Sequence, residues 1–388
     1  VVIDLSCQAD HVPDWTFPLC PTEPDWHLDW NAILEANSWL EKLRGCPQNP
    51  VYHAEGDVLT HTRMVAQALV ANHAWRALAP ETRAILFASA LLHDIGKPEK
   101  TVIENDGRIT SRGHASAGAR LAQRLLWLES DTHVPFHCRQ MIVALVRHHG
   151  LPLFFLERED PRRAVIEASH RVRLDLVALL AEADVMGRIC PDQDELLGRV
   201  DLFRAFCAEH DCLETPYLFA SDHSRFLYCR TPGRDPAYHA FDDTKLEVVM
   251  LSGLPGSGKD TFVRHHLPDW PSIHLDAIRR EVGVSWTDNQ GQVLQLARER
   301  ARALLRQRTP FVWNATNINR SVRDPLISLF NDYGARVRIV YIEPQLEMIL
   351  DQNRNRDAVV KEAVILDMIS RLEVPDATEA HGVDYLIR

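Results

Sequence analysis

The stretch Leu251-Ser-Gly-Leu-Pro-Gly-Ser-Gly-Lys-Asp-Thr261 has the residue types and spacing to hold phosphate. Gly253, Gly256 and Gly258 let the backbone curl so that its N–H groups point at an anion, with a helix N-terminus behind them. Lys259 adds a point charge for β- and γ-phosphates. The residue after that lysine is usually Ser or Thr; here it is Asp260, and Thr261 becomes the candidate Mg²⁺ ligand. Asp260 either assists through water or faces solvent, and the sequence leaves both open. Gly253, Pro255, Gly256, Ser257, Gly258, Lys259, Asp260 and Thr261 form the expected nucleotide-binding set.

A second set lies in the first half of the chain: His61, then His93-Asp94, His114, His148-His149 and Asp184. Neutral imidazoles and carboxylates carried on several helices can converge on one core site and hold divalent metals. Two ions sharing an aspartate suit phosphoester hydrolysis, clamping the phosphate and generating hydroxide near neutral pH. A lone histidine is more often a core or surface residue, so the ordered set carries the expectation. His53, His73, His133 and His137 fit no position in it and are read as structural or exposed. Lys97 either reaches a substrate phosphate or is a solvated lysine after a helix end.

The elements that must position these groups differ between the two halves. Residues 1–26, with Pro13, Pro18, Pro21 and Pro24, read as an irregular arm packed through Trp15, Phe17 and Trp26. From about His27 apolar residues recur at helical spacing, over 32–43, 61–78, 81–92, 115–128, 139–148 and 174–185, with no strand pattern between. Gly96 and Pro98 stop the helix that ends at His93-Asp94. The first domain, 27–200, is therefore expected to be all-α. Periodicity weakens over 201–244, which reads as a connector with turns, and Arg225, Arg230 and Arg234 either contact phosphates or, the favoured reading, are surface charges.

From 245 to 388 strands and helices alternate. Strands are expected at 246–251, 273–275, 310–313 and 337–342, with helices at 261–266, 276–281, 291–307, 320–333, 346–356 and 359–372. That order implies an α/β domain with a parallel sheet covered on both faces. Asp276 follows the second strand, where such sheets bind ligands. It could take a proton from an attacking hydroxyl while Arg279 holds an acceptor phosphate or orients it. Asp276 as a helix N-cap is the alternative. Asn353-Arg-Asn-Arg356 looks like a lid, and Arg354 or Arg356 either stabilises charge on a transferring phosphoryl group or is an exposed arginine with no catalytic role. Trp313-Asn-Ala-Thr-Asn317 lacks the acidic pair of an ATPase motor.

The series H…HD…H…HH…D, centred on Leu91-Leu-His-Asp-Ile-Gly-Lys-Pro98, resembles the HD phosphohydrolase superfamily over residues 61–187. With Asp106-Gly-Arg108 and Gly113-His114, it is also similar to the HD domains of bacterial tRNA nucleotidyltransferases. The resemblance makes His61, His93, Asp94 and Asp184 ligands of a first metal. His114 with His148 or His149 would serve a second, and Lys97 a substrate phosphate. Residues 245–376 resemble the phosphotransferase domain of polynucleotide 5′-kinases: the phosphate loop, Asp276 and Arg279 as D-x-x-R, the N-x-T-N segment with Arg323, and the lid. That likeness makes Asp276 the general base and Arg279 the acceptor contact.

Both halves together are similar to bacterial HD-domain polynucleotide kinase-phosphatases. The resemblance implies ATP or another NTP with Mg²⁺ in one domain. It implies one or two divalent transition metals (Mn²⁺, Fe²⁺, Zn²⁺ or Ni²⁺) in the other. It further implies RNA or DNA ends as substrates and a ligase acting downstream. A small-molecule kinase fused to a nucleotidase, or an HD phosphohydrolase gated by ATP, are the alternatives. Net charge −11 excludes broad coating of nucleic acid, which needs a basic footprint, but not a local grip on a strand end. No apolar run approaches the roughly 20 residues of a membrane span. There is no secretory signal pattern, and Val1 in place of Met suggests that a few residues precede it. Scattered cysteines without a CxxC pair read as reduced thiols of a cytoplasmic protein. Oligomerisation stays open.

Overall fold

The computed structural model describes residues 15–129, 134–285, 288–356 and 359–388. The start of the arm, with Pro13 and Cys7, lies outside them, as does His133. The described residues form two compact units that divide between Leu218 and Phe219.

The first unit is built on helices α1 (Val58–Ala71), α2 (Pro80–Leu92), α3 (His114–Arg124), α4 (Phe136–His148), α5 (Leu174–Met186) and α6 (Gln193–Glu209). Every residue of α2 from Ala84 to Leu92 is buried. A helix apolar on all sides must be surrounded, and α2 packs between α1 and α4 while α5 packs on α1 and α6. Asp57 caps α1 by accepting from the Thr60 N–H at 2.9 Å. The helix expected over 61–78 breaks because the Asn72 side chain accepts from Ala74 N–H and starts a separate turn, His73–Arg76. That expected over 32–43 breaks at Asn37 into Trp30–Ala36 and a 3₁₀ turn. A ribbon of two residues per strand, Val102–Ile103 with Ile109–Thr110, corrects the expectation of no strand; it is too short to show alternation. Trp15 and Phe17 are buried, Phe17 lying 6.1 Å from the Phe87 ring, and Trp26 meets Trp75 at 5.7 Å.

In the second unit α7 (Asp222–Arg230) precedes β1 (Leu246–Ser252), α8 (Lys259–His266), β2 (Ser272–His274), α9 (Leu275–Val282), α10 (Gly291–Arg306) and β3 (Phe311–Asn314). Then come α11 (Arg320–Asp332), β4 (Ala335–Glu343), α12 (Leu346–Arg354), α13 (Glu362–Ser370) and β5 (Gly382–Ile387). The sheet order is β2-β3-β1-β4-β5, all parallel. Val248, Met250, Trp313 and Ile339 face one core, and Val249, Leu251, Val312 and Val340 the other. Burial on both faces is why these strands read as continuous apolar runs. The fifth strand was not expected: it is an edge strand, only partly buried, and Gly382 and Asp384 interrupt its apolar pattern.

The segment expected as a connector is divided between the units. Leu196, Val200, Phe203 and Cys207 are the buried positions of α6, a helical spacing that runs past residue 200. Arg225 and Arg230 are structural ties, not surface charges. Arg225 donates to the carbonyls of Ala377 (3.0 Å) and His381 (2.8 Å), and Arg230 binds Asp324 and Ser328. Arg234 lies over the Tyr238 ring. No helix among the described residues is long and apolar enough to cross a membrane.

Arg323 is fully buried and holds Glu379 through two parallel bonds of 2.7 and 2.8 Å, with further bonds to the carbonyls of Asn317 and Glu373. This pair fastens α11 to the chain leading into β5. Arg323→Met leaves a buried carboxylate alone and is expected to destabilise the second unit by about 3–5 kcal/mol. Adding Glu379→Leu should recover part of that loss. Urea unfolding followed by circular dichroism measures both; a single variant that unfolds at the wild-type midpoint contradicts this account.

Candidate functional site

Two constellations emerge, one in each unit. In the first, Asp94 follows the C-terminus of α2 and lies 2% exposed between two pairs of imidazoles. Its Oδ2 is 3.2 Å from His93 Nε2 and 3.8 Å from His61 Nε2; its Oδ1 is 3.4 Å from His114 Nε2 and 4.0 Å from His149 Nε2. Asp184, from the last turn of α5, reaches His61 Nε2 at 3.0 Å. These ligand atoms fall into two groups, His61–His93–Asp94 and Asp94–His114–His149, with Asp94 in both. Among the described residues His149, not its neighbour His148, belongs to the second group.

The far nitrogens of these rings test the fit to metal. His93 Nδ1 donates to Ala90 O at 2.8 Å, His114 Nδ1 to Ser111 O at 2.9 Å and His149 Nδ1 to Val146 O at 2.8 Å. A carbonyl oxygen only accepts, so each Nδ1 carries the proton and each Nε2 presents a lone pair. Yet His114 and His149 Nε2 lie 3.2 Å apart, and His93 and His61 Nε2 lie 3.4 Å apart. Bare acceptors converging on ionised carboxylates suit a divalent cation, and such backbone contacts orient metal-bound histidines. Burial pushes His149 down to about 3, helped by the neighbouring His114 and His93, so it is neutral. Against burial, which would raise them, Lys97 and His93 hold Asp94 well below the usual carboxylate range, and Arg188 and His61 do the same for Asp184. His61 sits between Asp184 and Glu55, which raise it despite burial; Nε2 there takes either a proton or a metal ion.

Lys97 is not a solvated lysine: it is nearly buried, 2.6 Å from Asp94 Oδ2 and 2.6 Å from Gln48 Oε1. Gly96 permits this turn through a close approach, since a Cβ there would lie 2.2 Å from His114 O. Three partners went unnoticed in the sequence. Glu55 accepts from His61 Nδ1 at 2.9 Å and His53 Nδ1 at 2.8 Å, Arg188 holds Asp184 Oδ2 at 2.6 Å, and Gln48 meets Lys97. His53, read as structural or exposed, thus shares Glu55 with His61. Arg188 stands four residues after Asp184 and was within reach of helical spacing. Glu55 and Gln48 lie in loops, where spacing gives no signal.

In the second unit the loop from Gly253 to Gly258 connects β1 to α8. Gly253, Gly256 and Gly258 have φ of 153°, 82° and 91°. A Cβ on Gly256 would also lie 2.5 Å from Ile349 O on α12, so glycine is required twice over. Pro255 is buried within the loop, and Ser257 accepts from Lys259 Nζ at 3.3 Å. Lys259 Nζ also donates to the carbonyls of Gly253 (2.9 Å) and Leu254 (2.7 Å), and burial pushes it down to about 8 against the pull of Asp260. Thr261 Oγ1 lies one turn into the helix, where Arg264 reaches it at 3.2 Å.

Asp260 does not simply face solvent: it accepts from His274 Nε2 at 2.9 Å and Asn314 Nδ2 at 2.7 Å. Asp276 is not the N-cap of α9, because His274 Nδ1 fills that place. Its carboxylate instead sits between Arg279, bonded to Oδ1, and Arg356, 3.1 Å from Oδ2. Arg356 thus reaches Asp276, whereas the exposed Arg354 faces Asp351 and Glu362 at 3.7 and 4.0 Å. Arg323 is drawn away from this group into its buried pair with Glu379.

Residues 58–185 match the model of the HD domain, and residues 248–375 that of an AAA domain. A Multifunctional CCA protein of Ralstonia nicotianae is 28% identical over 187 residues, covering 46% of this chain and 40% of its own length. One from an Acidovorax species is 32% identical over 172 residues, covering 42% of this chain and 36% of its own length. The chain thus spans less than half the length of these curated relatives. A crystal structure from Chloroflexus aurantiacus described as a kinase shares 12% identity at a TM-score of 0.32, covering 37% of this chain and 86% of that one.

Two metal groups bridged by Asp94 predict a graded loss of metal. After loading with Mn²⁺ and desalting, elemental analysis is expected to find about two ions per chain, the count of a paired-metal site. The His114→Ala/His149→Ala variant should keep about one, and Asp94→Ala fewer still. Equal metal content in all three proteins contradicts the bridged arrangement.

Proposed function

From an HD domain joined to a P-loop kinase-like domain in one chain, we propose an enzyme that heals nucleic-acid ends. Its kinase unit phosphorylates a 5′-hydroxyl, and its HD unit removes a 2′-, 3′- or 2′,3′-cyclic phosphate. The observation that carries the reading is Asp276, an acid just past the end of β2 held between Arg279 and Arg356, with both Asp276 and Arg356 near enough for their charges to act on Lys259 of the phosphate loop. The pairing with an HD site is chemically coherent, because many strand cleavages leave a 5′-hydroxyl and a 3′-phosphate on one break.

In the kinase unit the loop N–H groups and Lys259 bind the β- and γ-phosphates of the NTP, and Thr261 would hold Mg²⁺. Magnesium supplies charge neutralisation on the phosphates. Asp276 accepts the proton of the acceptor hydroxyl as its oxygen attacks the γ-phosphorus and the bond to the bridging oxygen breaks, leaving NDP. Arg279 binds the acceptor phosphate. Arg356, next to Asp276, is the better candidate of the two lid arginines to stabilise charge on the transferring group.

In the HD unit His61, His93, Asp94 and Asp184 would hold one divalent cation, and Asp94, His114 and His149 a second. Such cations supply Lewis acidity for phosphoester hydrolysis. Lys97 holds the Asp94 carboxylate in register and offers its one remaining N–H donor to a substrate phosphate oxygen. Gln48 keeps that ammonium in place from the other side. A ligase would act on the healed ends. A kinase for nucleosides or nucleotides fused to a nucleotidase is the second reading, favoured by the net charge of −11.

A short RNA bearing a 5′-hydroxyl and a 3′-phosphate, incubated with ATP and Mg²⁺ or Mn²⁺, should gain a 5′-phosphate and lose the 3′-phosphate, read by mass spectrometry. No change at either end overturns the proposal, and labelling of free nucleosides instead establishes the second reading. Asp276→Ala should lower phosphorylation at least about 100-fold with dephosphorylation intact. Asp94→Ala should silence only the dephosphorylation.

A further inference from the structure

Asp260 stands where the common phosphate loop carries a hydroxyl, and the structure gives its carboxylate a definite task. Its Oδ1 is a shared acceptor for His274 Nε2 (2.9 Å) at the end of β2 and Asn314 Nδ2 (2.7 Å) at the end of β3. The first turn of α8 is thereby pinned to two strand ends. The other nitrogen of the same ring, His274 Nδ1, faces the backbone N–H groups of Asp276 (3.2 Å) and Ala277 (3.4 Å). A backbone N–H only donates. His274 Nδ1 is therefore bare, and the ring proton sits on Nε2, aimed at Asp260.

An imidazole is an uncommon N-cap; Ser, Thr, Asp and Asn ordinarily fill that place. Held by one nitrogen alone, the ring can turn or change tautomer and lose the cap. Asp260 removes that freedom. A serine hydroxyl at this position reaches from a shorter arm and carries a proton that needs an acceptor of its own, whereas the carboxylate only accepts and takes both His274 and Asn314 on Oδ1. The ionised form is the right one, since the hydrogen bond from His274 lowers the Asp260 carboxyl well below its ordinary range. The residue adjoining Lys259 is thus linked through one ring to the backbone of Asp276.

We propose that Asp260 and His274 are positioning residues for phosphoryl transfer, coupling the phosphate loop to the first turn of α9 so that Asp276 is held in register with the donor phosphates. This rests on reading Asp276 as the base. The phosphate loop alone determines how tightly nucleotide binds; the coupling determines how well the acceptor oxygen is aimed. It acts on kcat more than on the KM for ATP.

The test uses the full chain, ATP and an oligoribonucleotide with a 5′-hydroxyl, with kcat and KM measured for Asp260→Ala, His274→Ala and Asp260→Asn. The tautomer of His274 is read by ¹⁵N NMR. Asp260→Ala and His274→Ala should lower kcat about 10- to 100-fold, the scale of a misaimed reactant. The KM for ATP should stay within about threefold. Asp260→Asn keeps an acceptor oxygen and should hold kcat within about threefold of wild type. In Asp260→Ala the His274 signal should change from one tautomer to a mixture. Wild-type kcat in Asp260→Ala, or an unchanged His274 tautomer, overturns the proposal. So does an Asp260→Asn variant as slow as Asp260→Ala, which would assign the effect to charge. If the wild type does not phosphorylate the oligonucleotide, the end-healing reading falls, while the tautomer measurement still decides the coupling.

Discussion

Asp94 is buried and ionised, and a carboxylate taken that far from water must be ringed by donors or cations. Most of the first unit can be understood as the means of doing this. Its two oxygens face two pairs of imidazoles, and Lys97 adds a full charge 2.6 Å away. Each surrounding group is itself held: the rings by carbonyls one turn back, Lys97 by Gln48, Asp184 by Arg188. Helices α2 and α5 can deliver such polar groups to the core because their own surfaces are apolar on nearly every side.

The second unit solves a related problem at a sheet edge. Parallel strands end in unpaired backbone groups and loops along one rim, and ligands bind there. The loop after β1, the imidazole that ends β2 with the Asp276 carboxylate just beyond it, and Asn314 at the end of β3 all lie on that rim. Asp260 ties three of them together. Meanwhile Arg323 and Glu379 neutralise each other in the interior and lock the region behind the rim. The structure separates the arginines by role in this way: Arg323 is structural, Arg279 and Arg356 meet Asp276, and Arg354 is exposed.

Much of this was legible in the chain itself. Apolar runs between turn signals marked β1, β3 and β4, because strands buried on both faces have little polar alternation to confuse them, and the short edge strand β2 was found beside them. The fifth was missed because an edge strand is only partly buried and carries Asp384. Helix α6 was not expected and the first domain was ended at 200, although Leu196, Val200, Phe203 and Cys207 carry a helical spacing across that boundary. Asn72 and Asn37 broke helices that periodicity ran together, since a capping side chain competes with the next helical turn without altering the apolar pattern.

The sequence by itself determined the chemistry available: a glycine loop of the kind that can cradle a phosphate-sized anion, and an ordered set of histidines and aspartates on apolar helices. Both are encoded locally, in backbone freedom and in helical period, so they survive without coordinates. Tertiary structure alone decided which partners meet. It chose His149 over His148 and Arg356 over Arg354, brought Glu55 to His61 and Gln48 to Lys97, and turned Asp260 from an anomaly into a link to His274. Gln48 and Lys97 lie 49 positions apart and Arg356 and Asp276 lie 80 apart, and even the nearer pairs in loops meet only where the packed elements place two atoms, which spacing along the chain does not record.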